Sequence, residues 1–199
     1  MLEAETASTF VERWNRAQGR EDKFFKLAPG TYDGPAEVVE WLTTVGMPSS
    51  AVYFSFDDLP TDGLSRVTDL FGQPDDWADA DRQRLDRYRL IGVDGGGNPL
   101  CLDLHTGGLI QLDHESQFEP YSAYVNSSVS QLAEALLIHA EASAEYQARS
   151  EAAATPEEAD TIETHLITVT RERLTVLDPT VMKFDGFWNR LLDDVYPFV

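Results

Sequence analysis

The sequence predicts a fold that combines an antiparallel β-meander with helices before and after it in the chain. Three short runs with the alternation and composition of strands lie between Tyr88 and Asp113, and glycine-rich turns separate them. Turns this short join neighbouring antiparallel strands. Apolar residues at helical spacing follow from Val129 and again from Ile162. The chain therefore carries the elements of a sheet packed against helices.

The turns define the three strands of the meander. The first strand runs from Tyr88 to Val93, and the Asp94 to Asn98 turn after it contains three glycines that can adopt positive φ. In the second strand, the alternate leucines of Leu100 to Leu104 fall on one face. A second glycine turn leads into the third strand, Leu109 to Asp113. This pattern predicts a meander with one buried face.

Several of the predicted helices begin at recognisable caps. Ser128 followed by Gln131 matches a capping box, and Thr155 followed by Glu158 matches a second one with Pro156 in the first turn. Further apolar stripes predict an opening helix with Phe10 and Trp14, a short helix from Pro35 to Gly46, and a final helix with Phe187, Trp188, Leu191 and Leu192.

Three segments are less regular. The aromatic run from Ala51 to Phe56 is bracketed by prolines and predicts one strand. Residues 61–81 are rich in Gly, Pro and Asp, so we expect a long, partly helical connection that its apolar side chains hold against the core. The polar stretch from Glu141 to Asp160 fits either an extension of the preceding helix or an exposed linker.

Composition excludes one class of partner. With 199 residues and 42% apolar content, the chain can bury a substantial core, and we expect a single domain over residues 1–199. Lys and Arg total 15 against 35 Asp and Glu, so the net charge of −20 argues against nucleic-acid binding. The same charge favours encounter with a basic partner, although acidic surfaces also simply keep soluble proteins apart.

The sequence also indicates a cytoplasmic location. The lone Cys101 lies in an apolar run and has no second cysteine with which to form an internal disulfide. The first residues lack the pattern of a signal peptide, and no stretch approaches the ~20 apolar residues of a membrane span. We therefore expect a soluble protein with no membrane partner.

The residues that could carry chemistry do not form a recognisable active site. Two histidines and three acids near the predicted hairpin could in principle bind a metal, but their spacing matches no known ligand motif. These residues are Asp103, His105, Asp113, His114 and Glu115. The Asp94 to Asn98 turn leads into a strand rather than a helix, unlike a phosphate loop. We predict no catalytic residue, no metal and no cofactor.

Charge distribution suggests a surface for a protein partner instead. Between Asp103 and Glu163 there are twelve acidic residues and one basic residue, Arg149. An acidic run also surrounds Trp77, which could anchor a basic partner or could equally pack into the core beside a solvated loop. The candidate partner-binding residues are Asp75, Asp76, Trp77, Asp79, Asp81, Asp113, Glu115 and Glu119.

The order of several motifs resembles one known family. Gly46-Met47-Pro48 comes first, then LIGVDGGGNPLCLDLHTGGLIQLD, then Tyr124 to Ser128 leading into an amphipathic helix. This succession resembles the fourth family of the SUKH superfamily, the immunity proteins of bacterial polymorphic toxin systems. The similarity is best over residues 41–139. Leu177-Asp178-Pro179 and Phe187-Trp188, within the predicted C-terminal helices of residues 155–199, are also similar to that family.

The resemblance implies an α+β fold, with helices packed against a mainly antiparallel sheet, and a function without chemistry. Such a protein would bind and neutralise a cognate bacterial toxin by steric and electrostatic occlusion. Toxins paired with this superfamily include nucleases and deaminases, whose basic substrate channels would suit an acidic inhibitor. We expect a monomer or weak dimer. The alternative is an interaction module of a regulatory assembly, with no toxin partner.

Overall fold

A computed structural model gives the fold of the chain. It describes residues 4–28, 30, 32, 34–56, 63–71, 77–116, 118, 123–182, 186–194 and 197–198. The helices are α1 (Ala4–Gln18), α2 (Ala36–Thr44), α3 (Val67–Leu70), α4 (Asp79–Leu85), α5 (Val129–Ala152), α6 (Pro156–Leu177) and α7 (Phe187–Leu192). The strands are β1 (Phe24–Phe25), β2 (Met47–Pro48), β3 (Ser50–Ala51), β4 (Phe54–Ser55), β5 (Tyr88–Asp94), β6 (Pro99–Asp103), β7 (Leu109–Gln111) and β8 (Ala123–Asn126).

The main sheet is an antiparallel meander. Its six strands follow the order β3-β4-β5-β6-β7-β8, and each strand pairs with its neighbour in the chain. Strands β1 and β2 form a separate antiparallel pair. The predicted α+β class and the three predicted strands between Tyr88 and Asp113 are therefore confirmed, although β7 ends at Gln111.

The sheet is covered on both faces, so the prediction of one buried face is wrong. Leu100 and Leu102 point into the larger apolar cluster, which lies against the helices. Cys101 points the other way, into a smaller cluster with Val67 and Leu85. These last two residues belong to the connection before β5, which folds across the second face and shields it from water.

The segment from Ala51 to Phe56 forms a tight hairpin rather than the single predicted strand. Ala51 pairs with Phe54, and the two residues between them turn the chain. Val52 adopts a positive φ of 55°, which β-branched residues rarely do. The turn leaves the Tyr53 side chain 48% exposed, while Phe54 and Phe56 are buried. The segment thus forms two strands of two residues each, and of its aromatic residues only Phe54 lies in a strand.

Helices α1 and α2 fix the aromatic part of the core. Phe10 and Trp14, one turn apart on α1, are buried as predicted. The Phe10 ring meets the Trp41 ring edge to face, with 5.5 Å between centroids. The Trp14 indole Nε1 donates to Asp22 at 3.0 Å, so the tryptophan is buried without losing its hydrogen bond.

The predicted caps of the two long helices are present. The backbone N–H of Gln131 donates to Ser128 Oγ at 3.2 Å, and that of Glu158 donates to Thr155 Oγ1 at 3.2 Å. Helix α5 continues to Ala152, so most of the segment from Glu141 onward is helical and only residues 153–155 separate the two helices. The helix alternative for this stretch is the correct one.

A cluster of ion pairs joins three helices. Glu141 of α5 accepts hydrogen bonds from Arg13 of α1, at 3.1 Å, and from Arg173 of α6. Arg13 also pairs with Glu134 at 3.1 Å. These partly exposed pairs link the three helices, and pairs of this kind add little stability. Among the described residues, no helix is long and apolar enough to cross a bilayer.

Candidate partner-binding groove

A groove opens to solvent beside the turn that joins β5 to β6. Two adjoining recesses form it, with volumes of about 430 and 340 Å³. They share four lining residues: Gly96, Asn98, Gln111 and Arg190. The larger recess adds Tyr53, Asp94, Gly95, Phe187, Leu191 and Asp194, and the smaller adds Leu112, Asp113, His114 and Glu115. We call this combined surface the turn groove.

Asp94 organises the turn on which the groove is built. Its Oδ1 accepts the backbone N–H of Gly96 at 2.9 Å and that of Asn98 at 2.8 Å. Gly97 has a φ of +86°, which the turn requires and which glycine adopts without strain. The Gly-rich segment therefore forms a self-bonded strand turn, as predicted, and its Gly96 and Asn98 N–H groups are already engaged by the protein.

The same carboxylate orients the polar side chains of the groove. Asp94 Oδ2 accepts from Asn98 Nδ2 at 3.0 Å and from Gln111 Nε2 at 2.5 Å. Because the Asn98 amide donates toward Asp94, its Oδ1 faces His114, whose Nδ1 lies 2.9 Å away and must carry the proton. Arg190 Nη2 lies 3.5 Å from Gln111 Oε1. One chain of contacts thus links His114 to Arg190.

Removal of the Asp94 carboxylate should destabilise the turn that forms the groove without unfolding the protein. We expect Asp94→Ala to lower the free energy of unfolding by about 1 to 2 kcal/mol, because a partly exposed carboxylate with four donors is lost. Asp94→Asn, which keeps one oxygen acceptor, should cost less. Urea unfolding of both variants measures this difference. Equal stability of Asp94→Ala and the wild type would contradict this account of the turn.

The groove carries a net negative charge. Among the described lining residues there are four carboxylates, on Asp94, Asp113, Glu115 and Asp194, and one guanidinium, that of Arg190. Asp113 Oδ1 accepts the backbone N–H of Glu115 at 2.9 Å, which fixes the loop that presents both acids. A recess of this kind attracts cations and repels anions, and its walls strengthen the field above that of a flat surface.

The structure brings together two of the candidate partner-binding residues, Asp113 and Glu115, in the turn groove. Asp79 and Asp81 lie in the first turn of α4, where acids interact favourably with the helix dipole. Asp81 also pairs with Arg84 at 3.3 Å. The remaining acidic candidates, Asp75, Asp76 and Glu119, lie outside the described residues.

Trp77 is partly buried against the smaller apolar cluster. Its indole Nε1 donates to the backbone carbonyl of Phe71 at 2.9 Å, and its ring lies 5.5 Å from the ring of Phe118. These contacts fix the connection before β5 onto the sheet. A partner could reach only the part of the indole that remains exposed.

Sequence reasoning missed the residues that give the groove its shape. Tyr53 falls inside a predicted strand, and Arg190 and Gln111 carry no motif. Arg190 and Gln111 are separated by 79 positions in the chain, so only the docking of α7 brings them together. The one available signal is Arg190, the only charged residue of the final helix, which must face solvent.

The hairpin histidines and acids do not form one site, because Asp113, His114 and Glu115 line the turn groove and Asp103 and His105 do not. Asp103 is buried and pairs with Arg87, whose Nε donates to Asp103 Oδ1 at 2.9 Å. Burial alone would raise the pKa of Asp103, but the hydrogen bonds from Arg87 and from the backbone of His105 outweigh it and lower the pKa. His105 is exposed, and His114 lies in the turn groove. Among the described residues, no group of three or more such side chains could hold a metal ion.

The meander, its helices and the acidic recess define an α+β protein with a negatively charged surface groove. Within that class, the chain belongs to the SUKH-4 immunity protein family, whose model matches residues 31–194. The match includes the meander, α5, α6 and α7, and it confirms the resemblance seen in the sequence. Comparison with curated proteins and comparison with solved structures both give no match. The family supports an immunity function for this chain.

Proposed function

We propose that this immunity protein binds a cognate toxin domain and neutralises it by covering its working surface. The turn groove carries the proposal, because its smaller recess presents Asp113 and Glu115 and its larger recess presents the partly exposed ring of Tyr53. Family membership supplies the biological setting, and the groove supplies a surface on which a partner can dock.

The charge of the chain favours a basic toxin. A net charge of −20 accelerates encounter with a positive partner and disfavours nucleic acid as a ligand. Nucleases and deaminases present positive surfaces to their substrates, so an acidic protein can compete for the same surface. Asp79 and Asp81, in the first turn of α4, would extend the attractive field beyond the groove, and we propose Asp75, Asp76 and Glu119 as further acidic contacts.

The proposed mechanism needs no reaction on the part of this protein. The thiol of Cys101 is buried, and burial raises its pKa, so the reactive thiolate is disfavoured. The groove holds no nucleophile next to a base among its described lining residues. We propose a single-domain, cytoplasmic protein that acts as a monomer or weak dimer and uses neither metal nor cofactor.

Co-expression tests this function directly. The probe is the C-terminal domain encoded by the neighbouring gene, produced in bacteria with and without this protein. We expect the domain alone to arrest growth, and we expect co-expression to restore growth and to yield a complex on size exclusion. Failure of both results would overturn the proposal. A stable complex with a non-toxic endogenous protein instead would favour the alternative, an interaction module of a regulatory assembly.

A further inference from the structure

We infer that the turn groove binds an extended segment of the toxin that carries an apolar side chain followed or preceded by a Lys or Arg. The apolar side chain would lie in the recess beside Tyr53, and the cation would lie beside Glu115. This inference rests on the proposed function and adds the chemistry of the recognised segment. It follows from the difference between the two ends of the groove.

The Tyr53 end is suited to an apolar side chain. Tyr53 and Val176 are the exposed large hydrophobic residues among those described, and Tyr53 is the one that lines a recess. Phe187 and Leu191 line the same recess. The backbone of Tyr53 is held in place, because its carbonyl accepts the N–H of Gly95 at 3.1 Å. A tyrosine side chain has only two χ angles, so on this fixed backbone it loses little entropy when it binds.

Side-chain packing beneath the larger recess fixes the shape of the Tyr53 end of the groove. The Phe187 ring lies 4.7 Å from the ring of Phe54, and Trp188 donates its indole N–H to Asn126 Oδ1 at 3.0 Å. Helix α7 is therefore fixed to the sheet, and Leu191 with it. The recess is preformed, so a bound side chain would displace water without a rearrangement of the core.

The Glu115 end is suited to a cation. Glu115 is exposed, and the loop that carries it is fixed by the bond to Asp113 Oδ1 and by a bond of 3.2 Å from Ser116 Oγ to the Asp113 carbonyl. His114 is held by Asn98, whose Oδ1 accepts its backbone N–H at 3.1 Å. A Lys or Arg side chain here would meet the carboxylates of Asp113 and Glu115, which extend from a loop with a fixed backbone.

Arg190 influences where along the groove a partner cation can lie. Its guanidinium lines both recesses, and its contact to Gln111 at 3.5 Å is a weak one. A partner cation placed near Arg190 would be repelled, whereas a backbone carbonyl of the partner could accept its N–H groups. The cation is therefore directed to the Glu115 end, and the apolar side chain to the Tyr53 end.

Short peptides test the groove without any toxin. The probes are acetyl-Leu-Gly-Arg-amide and its matched control acetyl-Leu-Gly-Glu-amide, titrated into 15N-labelled protein. We expect the basic peptide to shift the amide signals of Gly95, Gly96 and Glu115, with the acidic peptide at least about ten-fold weaker. Equal effects of the two peptides, or no shifts at the groove, would overturn the inference.

Variants test the same groove against the toxin. We expect Tyr53→Ala and Glu115→Lys each to weaken binding of the neighbouring-gene toxin domain by about ten-fold or more. The matched controls are Val176→Ala, an exposed apolar residue outside the groove, and Glu172→Lys, an exposed acid on α6. These should stay within about two-fold of the wild type at physiological salt.

The peptide titration and the toxin-binding variants together distinguish failure of the inference from failure of the proposed function. If the wild type binds the toxin and the groove variants bind equally well, the inference is overturned while the proposed function stands. If the wild type does not bind or protect, the proposed function is overturned, and the peptide titration still decides whether the groove prefers an apolar and basic segment. Circular dichroism of each variant must show the wild-type fold.

Discussion

Replacement of Gly46 by alanine is expected to lower the free energy of unfolding by about 3 to 5 kcal/mol, from backbone strain and a steric clash together. Gly46 ends α2 with a φ of +81°. A Cβ built there would lie 2.3 Å from the carbonyl oxygen of Phe25, which belongs to the backbone of β1 and cannot swing away. The Gly46-Met47-Pro48 motif thus has a structural cause.

Two other glycines allow the cost of a positive φ to be distinguished from the cost of a steric clash. Gly19 has a φ of +65°, but a methyl group added there would meet no atom within 4 Å, and Gly95 has open space without a positive φ. Gly19→Ala should therefore cost about 1 kcal/mol, and Gly95→Ala should be close to neutral. Urea unfolding of the three variants gives the comparison. A Gly46→Ala protein as stable as Gly19→Ala would show that the β1 backbone moves aside.

Asp178→Ala should be similarly damaging, because this buried carboxylate joins the end of α6 to the start of α5. Its side chain accepts the backbone N–H groups of Ser127, at 2.8 Å, and Thr180, at 3.1 Å. Hydroxyl groups of Ser127, Thr180 and Tyr124 donate to it as well. Alanine would remove the acceptor of two backbone N–H groups and three hydroxyls at a buried position, and we expect a loss of about 2 to 4 kcal/mol.

The same site predicts a loss of stability in acid. Burial would raise the pKa of Asp178, but the hydrogen bonds from Thr180 and Ser127 outweigh burial and lower the pKa from its ordinary 3.8. A carboxylate with a lowered folded-state pKa stabilises the fold above its unfolded-state pKa. That contribution is lost as the pH falls from about 4 through the lower folded-state value.

Asp69 provides a matched control for this prediction. It is an exposed aspartate on α3, so Asp69→Ala removes the same charge from a solvated position. Asp178→Ala should flatten the dependence of stability on pH below about 5, whereas Asp69→Ala should leave it close to that of the wild type. Identical pH profiles for Asp178→Ala and the wild type would refute the assigned role.

The parts of the fold that depend on residues close together in the sequence were predictable. The β5 to β7 meander and the caps at Ser128 and Thr155 depend on residues close together in the sequence, and all were predicted. The hairpin at Tyr53 was missed because its strands are only two residues long. Together with the turn between them, they have the residue composition of one continuous strand. The second buried face was missed because only tertiary packing brings Val67 against Cys101.

The candidate site was predictable only in part. Acidity alone indicated Asp113 and Glu115, which lie in the groove. Composition could not indicate that Arg190 would lie beside Gln111, or that Tyr53 would remain exposed at a turn. These placements follow from the docking of α7 and from one unusual φ value. The acidic sequence therefore predicted that the surface carries negative charge, whereas the shape of the groove depends on tertiary packing.

Titration of toxin activity with purified protein tests the central claim of neutralisation by binding alone. The account predicts that inhibition becomes complete at one equivalent of this protein. It also predicts that high salt releases toxin with unchanged mass and full activity, because the contact is charged and reversible. Inactivation of many toxin molecules by one molecule of this protein, or a changed toxin mass after release, would contradict the claim.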